Sequence, residues 1–181
     1  MATESHNATQ WNIDPTHSEV QFKVKHLVIS TVTGTFNTFS ATAYTPVEGW
    51  NNAQIEFTTD INSIDTNNEQ RDVHLKSAEF FDAETYPQLK FKSTEFAQKS
   101  ENRYELTGDL TIKNVTKNVT LQVEFGGEMV DPYGNHKAGL EVSGEINRHD
   151  FDLTWNAVTE TGGVVVGPNI KLLMNIQFAK A

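Results

Sequence analysis

Apolar and polar side chains alternate with a period of two along almost the whole chain. That pattern restricts it to strands with one buried and one wetted face. Val20, Phe22 and Val24 share one side of such a segment, while Glu19, Gln21, Lys23 and Lys25 share the other. Ile55, Phe57, Thr59 and Ile61 repeat the pattern, as do Leu89 and Phe91. Leu106, Gly108, Leu110 and Ile112 follow, then Val119, Leu121, Val123 and Phe125. Leu140, Val142, Gly144 and Ile146 come next, and Ile170, Leu172, Met174, Ile176 and Phe178 finish the series. With residues 34–44 this gives about eight strands. Turn signals at 46–52, 100–102 and 131–136 separate them. Residues 113–118 read as a tight hairpin in which Asn114 takes a positive φ. Short strands with polar outer faces predict a closed antiparallel barrel, because closure removes exposed edges. A sandwich is the alternative.

One stretch breaks the alternation. Residues 66–87, TNNEQRDVHLKSAEFFDAETYP, fit a capping box with Thr66 as cap and Glu69 reaching back. The helix then runs to Ser77 or Ala78. Helical geometry places Arg71, His74, Leu75 and Ala78 on one face. The aromatic pair Phe80 and Phe81 follows at once. Polar groups beside bulky apolar ones suit an amphipathic ligand, and they equally suit the closed end of a barrel. Residues 148–156 read as a second, short and weakly helical segment. No repeat, low-complexity tract or linker is evident, so a flexible tail at 1–10 precedes one domain at 11–181.

Composition removes several function classes. A chain of 181 residues buries roughly 70% of its unfolded surface and needs no metal or disulfide to fold. It has no Cys, which excludes disulfide frameworks, thiol catalysis and thiolate-bound zinc. A net charge of −10 argues against nucleic acid and against anionic membrane surfaces. No apolar run is long enough to span a bilayer. The start lacks signal-peptide character, so the chain reads as cytoplasmic, or as periplasmic or secreted if a signal peptide has been removed. The sequons at Asn7, Asn114 and Asn118 read as chance matches.

The histidines His17, His26, His74, His136 and His149 show no metal-ligand spacing, and His6 lies in the tail. No metal and no cofactor is expected. There is no Gly-x-Ser-x-Gly nucleophile turn. Asp82 and Glu84 flank turns and read as solvated. Thr161-Gly162-Gly163 lacks the residues of a phosphate loop and reads as a tight loop before the last strand. Among eleven Phe, Phe22, Phe57, Phe91 and Phe125 fall on inward faces. They either fill a core or line an apolar cavity, since eight-stranded barrels do both. Periodicity does not separate the two.

Particular residues carry a family resemblance. Trp11-x-Ile13-Asp14-x-x-His17-Ser18, Phe22-x-Val24-Lys25-His26 and Gly34-Thr35-Phe36 resemble the opening of the YceI-like family. Asn68-x-x-Arg71-Asp72-x-His74-Leu75-Lys76-Ser77-x-x-Phe80-Phe81 matches its most characteristic stretch, followed by Tyr86-Pro87 and Phe91-x-Ser93. Gly108-x-Leu110-Thr111-Ile112-Lys113-x-Val115-Thr116-Lys117 fits its hairpin, with Asn114 where Gly is usual. Ile146-Asn147-Arg148-x-x-Phe151 fits its late motif, with Asp152 where Gly is frequent.

The resemblance runs from Trp11 to Phe178. It implies a lipocalin-like, eight-stranded antiparallel barrel with one or two short helices and an elongated apolar interior. It also implies polyisoprenoid or similar lipid ligands and a homodimer. On that basis Phe22, Val24, Phe36, Phe57, Leu75, Phe80, Phe81, Phe91, Leu110 and Leu140 are expected to line the ligand. His26, Arg71, His74 and Arg148 are expected near its polar head. Burying about 40 prenyl carbons is worth roughly 30 kcal/mol. That exceeds the ceiling of about 18–21 kcal/mol for non-covalent affinity, so chain ordering offsets much of it or part of the chain stays outside.

The expected function is to carry or sequester a long-chain isoprenoid, of prenyl quinone or prenyl phosphate type, without catalysis. An enzyme using His74 or His26 as acid or base is one alternative. A stress-response interaction module with a filled barrel is another.

Overall fold

Eleven strand segments make eight rungs. In the computed structural model, which describes residues 8–157 and 163–181, the strands are β1 (Thr9–Ile13), β2 (Glu19–His26), β3 (Ser30–Phe36), β4 (Phe39–Thr45), β5 (Gln54–Asp60), β6 (Ile64–Asp65), β7 (Gln88–Gln98), β8 (Arg103–Ile112), β9 (Val115–Val130), β10 (His136–Asn147) and β11 (Val166–Lys180). Every pairing is antiparallel. The ring runs β1–β4–β5–β7–β8–β9–β10–β11 and closes through β11 on β1. β2, β3 and β6 extend it at one end, with β2 beside β11. The expected closed, lipocalin-like barrel of eight strands is thus the observed one, with three of its rungs bent.

The bends have side-chain causes. Between β1 and β2, Pro15–His17 forms a 3-10 turn that Asp14 caps by accepting from the Thr16 amide and hydroxyl. Ile13 still pairs with Phe178, and Val20 with Met174, so both halves lie along β11. Asp60 caps a matching turn, Ile61–Ser63, between β5 and β6. The segment 34–44, read as one strand, is broken between Phe36 and Phe39, and its first half starts earlier, at Ser30.

β11 measures the interior. Ile176 and Phe178 are buried, and Ile170, Leu172 and Met174 pack on the same core. Past Phe178 an aromatic floor closes the barrel. Trp50 contacts Trp11, Phe125 and Phe178 with centroids 5.2, 5.6 and 5.8 Å apart. Phe96 stacks on Tyr104 at 4.8 Å. The two indoles are satisfied, Trp11 by donating to Thr45 Oγ1 and Trp50 by donating to Glu128 Oε1.

Several local expectations are corrected. The cap of α1 (Glu69–Lys76) is Asn68, whose Oδ1 accepts from the Arg71 amide, and not Thr66. Thr66 is buried and serves other partners, given below. The 148–156 segment contains only a 3-10 turn, Arg148–Phe151, ended by Asp152 at φ 60. Asp tolerates that left-handed conformation, which accounts for an Asp where Gly is frequent. In the β8–β9 hairpin the positive φ belongs to Lys113 (57°), not Asn114. It is the first of two loop residues, the place a type II′ turn requires it. Thr9 and Gln10, assigned to the tail, belong to β1. His6, Asn7 and the Thr161-Gly162 loop lie outside the described residues.

Candidate functional site

The barrel is open at the end away from the aromatic floor, and two chambers lie in line inside it. The inner one has a volume of about 100 Å³ and exposes no polar surface to its interior. Phe57 (β5), Phe91 (β7), Leu110 (β8) and Leu140 (β10) line it, as expected. Residues not singled out from sequence complete it, among them Ala41, Ile55, Leu121 and Val142. The outer chamber has a volume of about 410 Å³ and opens at the rim. Val24, His26, Arg71, His74, Leu75, Phe80, Phe81 and Arg148 line it. Phe22 and Phe36 line both chambers, together with Leu89 and Leu172, and so form the waist between them. All fourteen candidate residues therefore face this one interior.

The waist aromatics are positioned from behind. Phe22 pairs across the sheet with Gly34, and its ring lies where a Gly34 side chain would be. Phe91 also lies over Gly108, diagonally, since Gly108 pairs with Ser93. An aromatic laid over a facing glycine is a known device for pinning register and curvature. Phe36 sits 5.5 Å from Phe22 and 6.3 Å, edge-on, from Phe81, so a ring cluster spans the passage.

Helix α1 covers part of the mouth. Gln70, Arg71, His74 and Leu75, one helical face, look into the outer chamber. Arg71 does not pair directly with Asp72; both hold Thr66. Arg71 donates from Nε to Thr66 Oγ1 at 2.8 Å and from Nη2 to its carbonyl at 2.7 Å. The Asp72 carboxylate accepts from the Thr66 amide at 3.0 Å and from its hydroxyl. His74 meets the Glu79 carboxylate through Nε2 and stands edge-on to Phe80 and Trp155, at 5.2 and 4.6 Å. Ser77 Oγ donates to the His74 carbonyl.

Arg148 is 2% exposed. It donates to the carbonyls of Gly167 (2.8 Å), Leu153 (2.6 Å), Trp155 (2.9 Å) and Val166 (3.1 Å), which ties the loop before β11 to the barrel. Burial pulls its pKa below the ordinary arginine value.

Trp155 and Lys25 are among the mouth residues that escaped the sequence reading. Trp155 sits in a segment with no period to read. Lys25 was placed on the outer face by alternation, yet it borders the chamber because a strand end at a rim presents both faces to the opening. Among the described residues, no three His, Asp or Glu converge as metal ligands. No helix among them is long and apolar enough to cross a membrane.

An antiparallel barrel closed at one end by aromatics, hollow along its axis and open at the other end defines a binding protein of the lipocalin-like type. The chain belongs to the YceI-like family: the model of the YceI-like domain matches residues 11–178. It is 38% identical to a UPF0312 protein of Staphylococcus epidermidis over 172 residues, covering 94% of this chain and 98% of that one. Among solved structures it is similar to Burkholderia cenocepacia BcnA, with a TM-score of 0.79 at 24% identity over 91% of this chain and 98% of that chain. The Campylobacter jejuni YCEI protein aligns with a TM-score of 0.71 at 29% identity over 87% and 90% of the two chains. A polyisoprenoid binding domain from Saccharophagus degradans shares the fold, with a TM-score of 0.71 at 14% identity over 94% and 98%.

Proposed function

We propose that this protein binds a long-chain isoprenoid or a similar single-chain lipid inside the barrel, and carries or sequesters it without chemical change. The observation that carries the reading is the pair of aligned chambers, apolar at the blind end and polar only at the rim. An apolar tail fits the first and a head group the second. A dry hollow of this kind is costly. At about 24 cal/mol per Å³, an empty inner chamber destabilises the barrel by roughly 2 kcal/mol. A barrel under selection for stability alone would fill it. The Saccharophagus degradans domain, named for polyisoprenoid binding, has the same fold and supports the ligand class. Membership of the YceI-like family supports it too.

The homodimer belongs to this reading as well, on the strength of the family resemblance.

The test is native mass spectrometry of protein purified from its own host under conditions that retain lipid, followed by titration with prenyl alcohols, quinones and phosphates. A co-purifying lipid, released on denaturation and recovered unaltered, is the expected result. Protein that carries none and takes up none would overturn the proposal.

A further inference from the structure

The charge at the mouth runs against the charge of the molecule. The chain carries 24 acidic and 14 basic side chains. Yet the outer chamber is lined by Lys25, His26, Arg71, His74 and Arg148, and among the described residues no Asp or Glu lines it. The carboxylates of Glu79 and Asp72 lie just behind this wall. Glu79 is engaged by His74, and Asp72 reaches Arg71 only through Thr66. Neither faces the chamber.

Arg148 is the sharper observation. A buried guanidinium ordinarily brings a carboxylate with it, because desolvating a lone charge costs several kcal/mol. Here its partners are four neutral carbonyls, and among the described residues it forms no ion pair. Those bonds use four of the five N–H groups of an arginine. Arg71 commits two, which leaves its fork partly open. The result is fixed positive charge, poorly screened and held against apolar walls, at the end of the cavity where a head group would rest.

Resting on the lipid-binding reading above, we infer that the lipid this barrel takes is anionic at its head, a phosphate monoester or a carboxylate, in preference to a neutral quinone or alcohol. A bidentate, charge-assisted contact from Arg71 with its charge reinforced by Arg148 and Lys25 recognises such a group. A neutral carbonyl or hydroxyl gains much less from the same donors.

The test compares geranylgeranyl monophosphate, geranylgeraniol and a long-chain fatty acid on the full chain, followed by the fluorescence of Trp155 at the mouth, with a variant lacking that indole as control. The phosphate is expected to bind at least ~10-fold more tightly than the alcohol at low salt, with the gap closing as salt rises. Arg71→Met and Lys25→Met should each lower phosphate affinity more than alcohol affinity, and so reduce that preference. Neither replaces the buried Arg148 that braces the loop. Whether the fatty acid follows the phosphate or the alcohol shows if carboxylate suffices. Equal binding of phosphate and alcohol overturns this inference and leaves the carrier reading intact. A preference untouched in the Arg71→Met, Lys25→Met double variant also overturns it. Failure of all three probes to bind overturns the reading beneath it.

Discussion

At the scale of single residues, the clearest electrostatic device lies away from the cavity, at the bend between β1 and β2. The Asp14 carboxylate accepts from the Thr16 hydroxyl, His17 Nδ1 at 2.9 Å and Lys137 Nζ at 3.2 Å. These bonds, Thr16 first and His17 next, hold its pKa well below the usual carboxylate range. A carboxyl depressed in the folded state contributes stability above its unfolded pKa, here 3.8, and loses it as pH falls toward the folded value. Asp14→Asn should therefore cost about 1 kcal/mol near neutral pH, the worth of charge-assisted capping bonds. The difference from the parent protein should shrink as pH drops from about 5 to about 2. Denaturant melts across that range check it, and a pH-independent difference would refute it. Asp14 was legible as a motif residue, but its partner Lys137 lies on β10, a pairing no local pattern announces.

At the scale of elements, β8 to β11 could be read almost residue by residue, since their apolar faces alternate from Leu106 to Phe178, whereas in β7 a register shift between Ser93 and Glu95 puts the buried Phe96 out of phase with Phe91. The bends could not. Pro15–His17 and Ile61–Ser63 are set by one aspartate each, and the second turn begins at Ile61, which alternation presents as the end of a strand. The helix was legible to within its cap, because Asn68 and Thr66 are both good capping residues and only the tertiary demand of Arg71 and Asp72 on Thr66 decides between them. The hairpin of β2 and β3 yields a test. Gly34 is the seat of the Phe22 ring, so Gly34→Val must push that ring into the waist. We expect a loss of about 1–3 kcal/mol from overpacking. Long-chain uptake should fall more than short-chain uptake, because the ring then stands between the chambers. Urea melts and a chain-length series check both effects, and uptake independent of chain length would contradict the waist.

At the scale of the whole molecule, the question left open by the sequence was whether the aromatic lining fills the barrel. Alternation tells which side chains point inward, but not what volume they leave. That depends on pairs such as Phe22 with Gly34, which become neighbours only once register is known. The inner chamber can be closed deliberately. Ala41 on β4 faces it, and Ala41→Leu should stabilise the protein by up to about 2 kcal/mol while lowering lipid uptake. A variant with unimproved stability and full uptake would show that the chamber matters to neither. The aromatic floor of Trp11, Trp50, Phe125 and Phe178 has a consequence for traffic. A vessel with a single door admits a tail first and returns a head first. On the carrier proposal, handover resembles drawing a sword from its scabbard: whatever receives the cargo must grasp the hilt at the rim, face to face with this protein, because the aromatic floor bars the way from below.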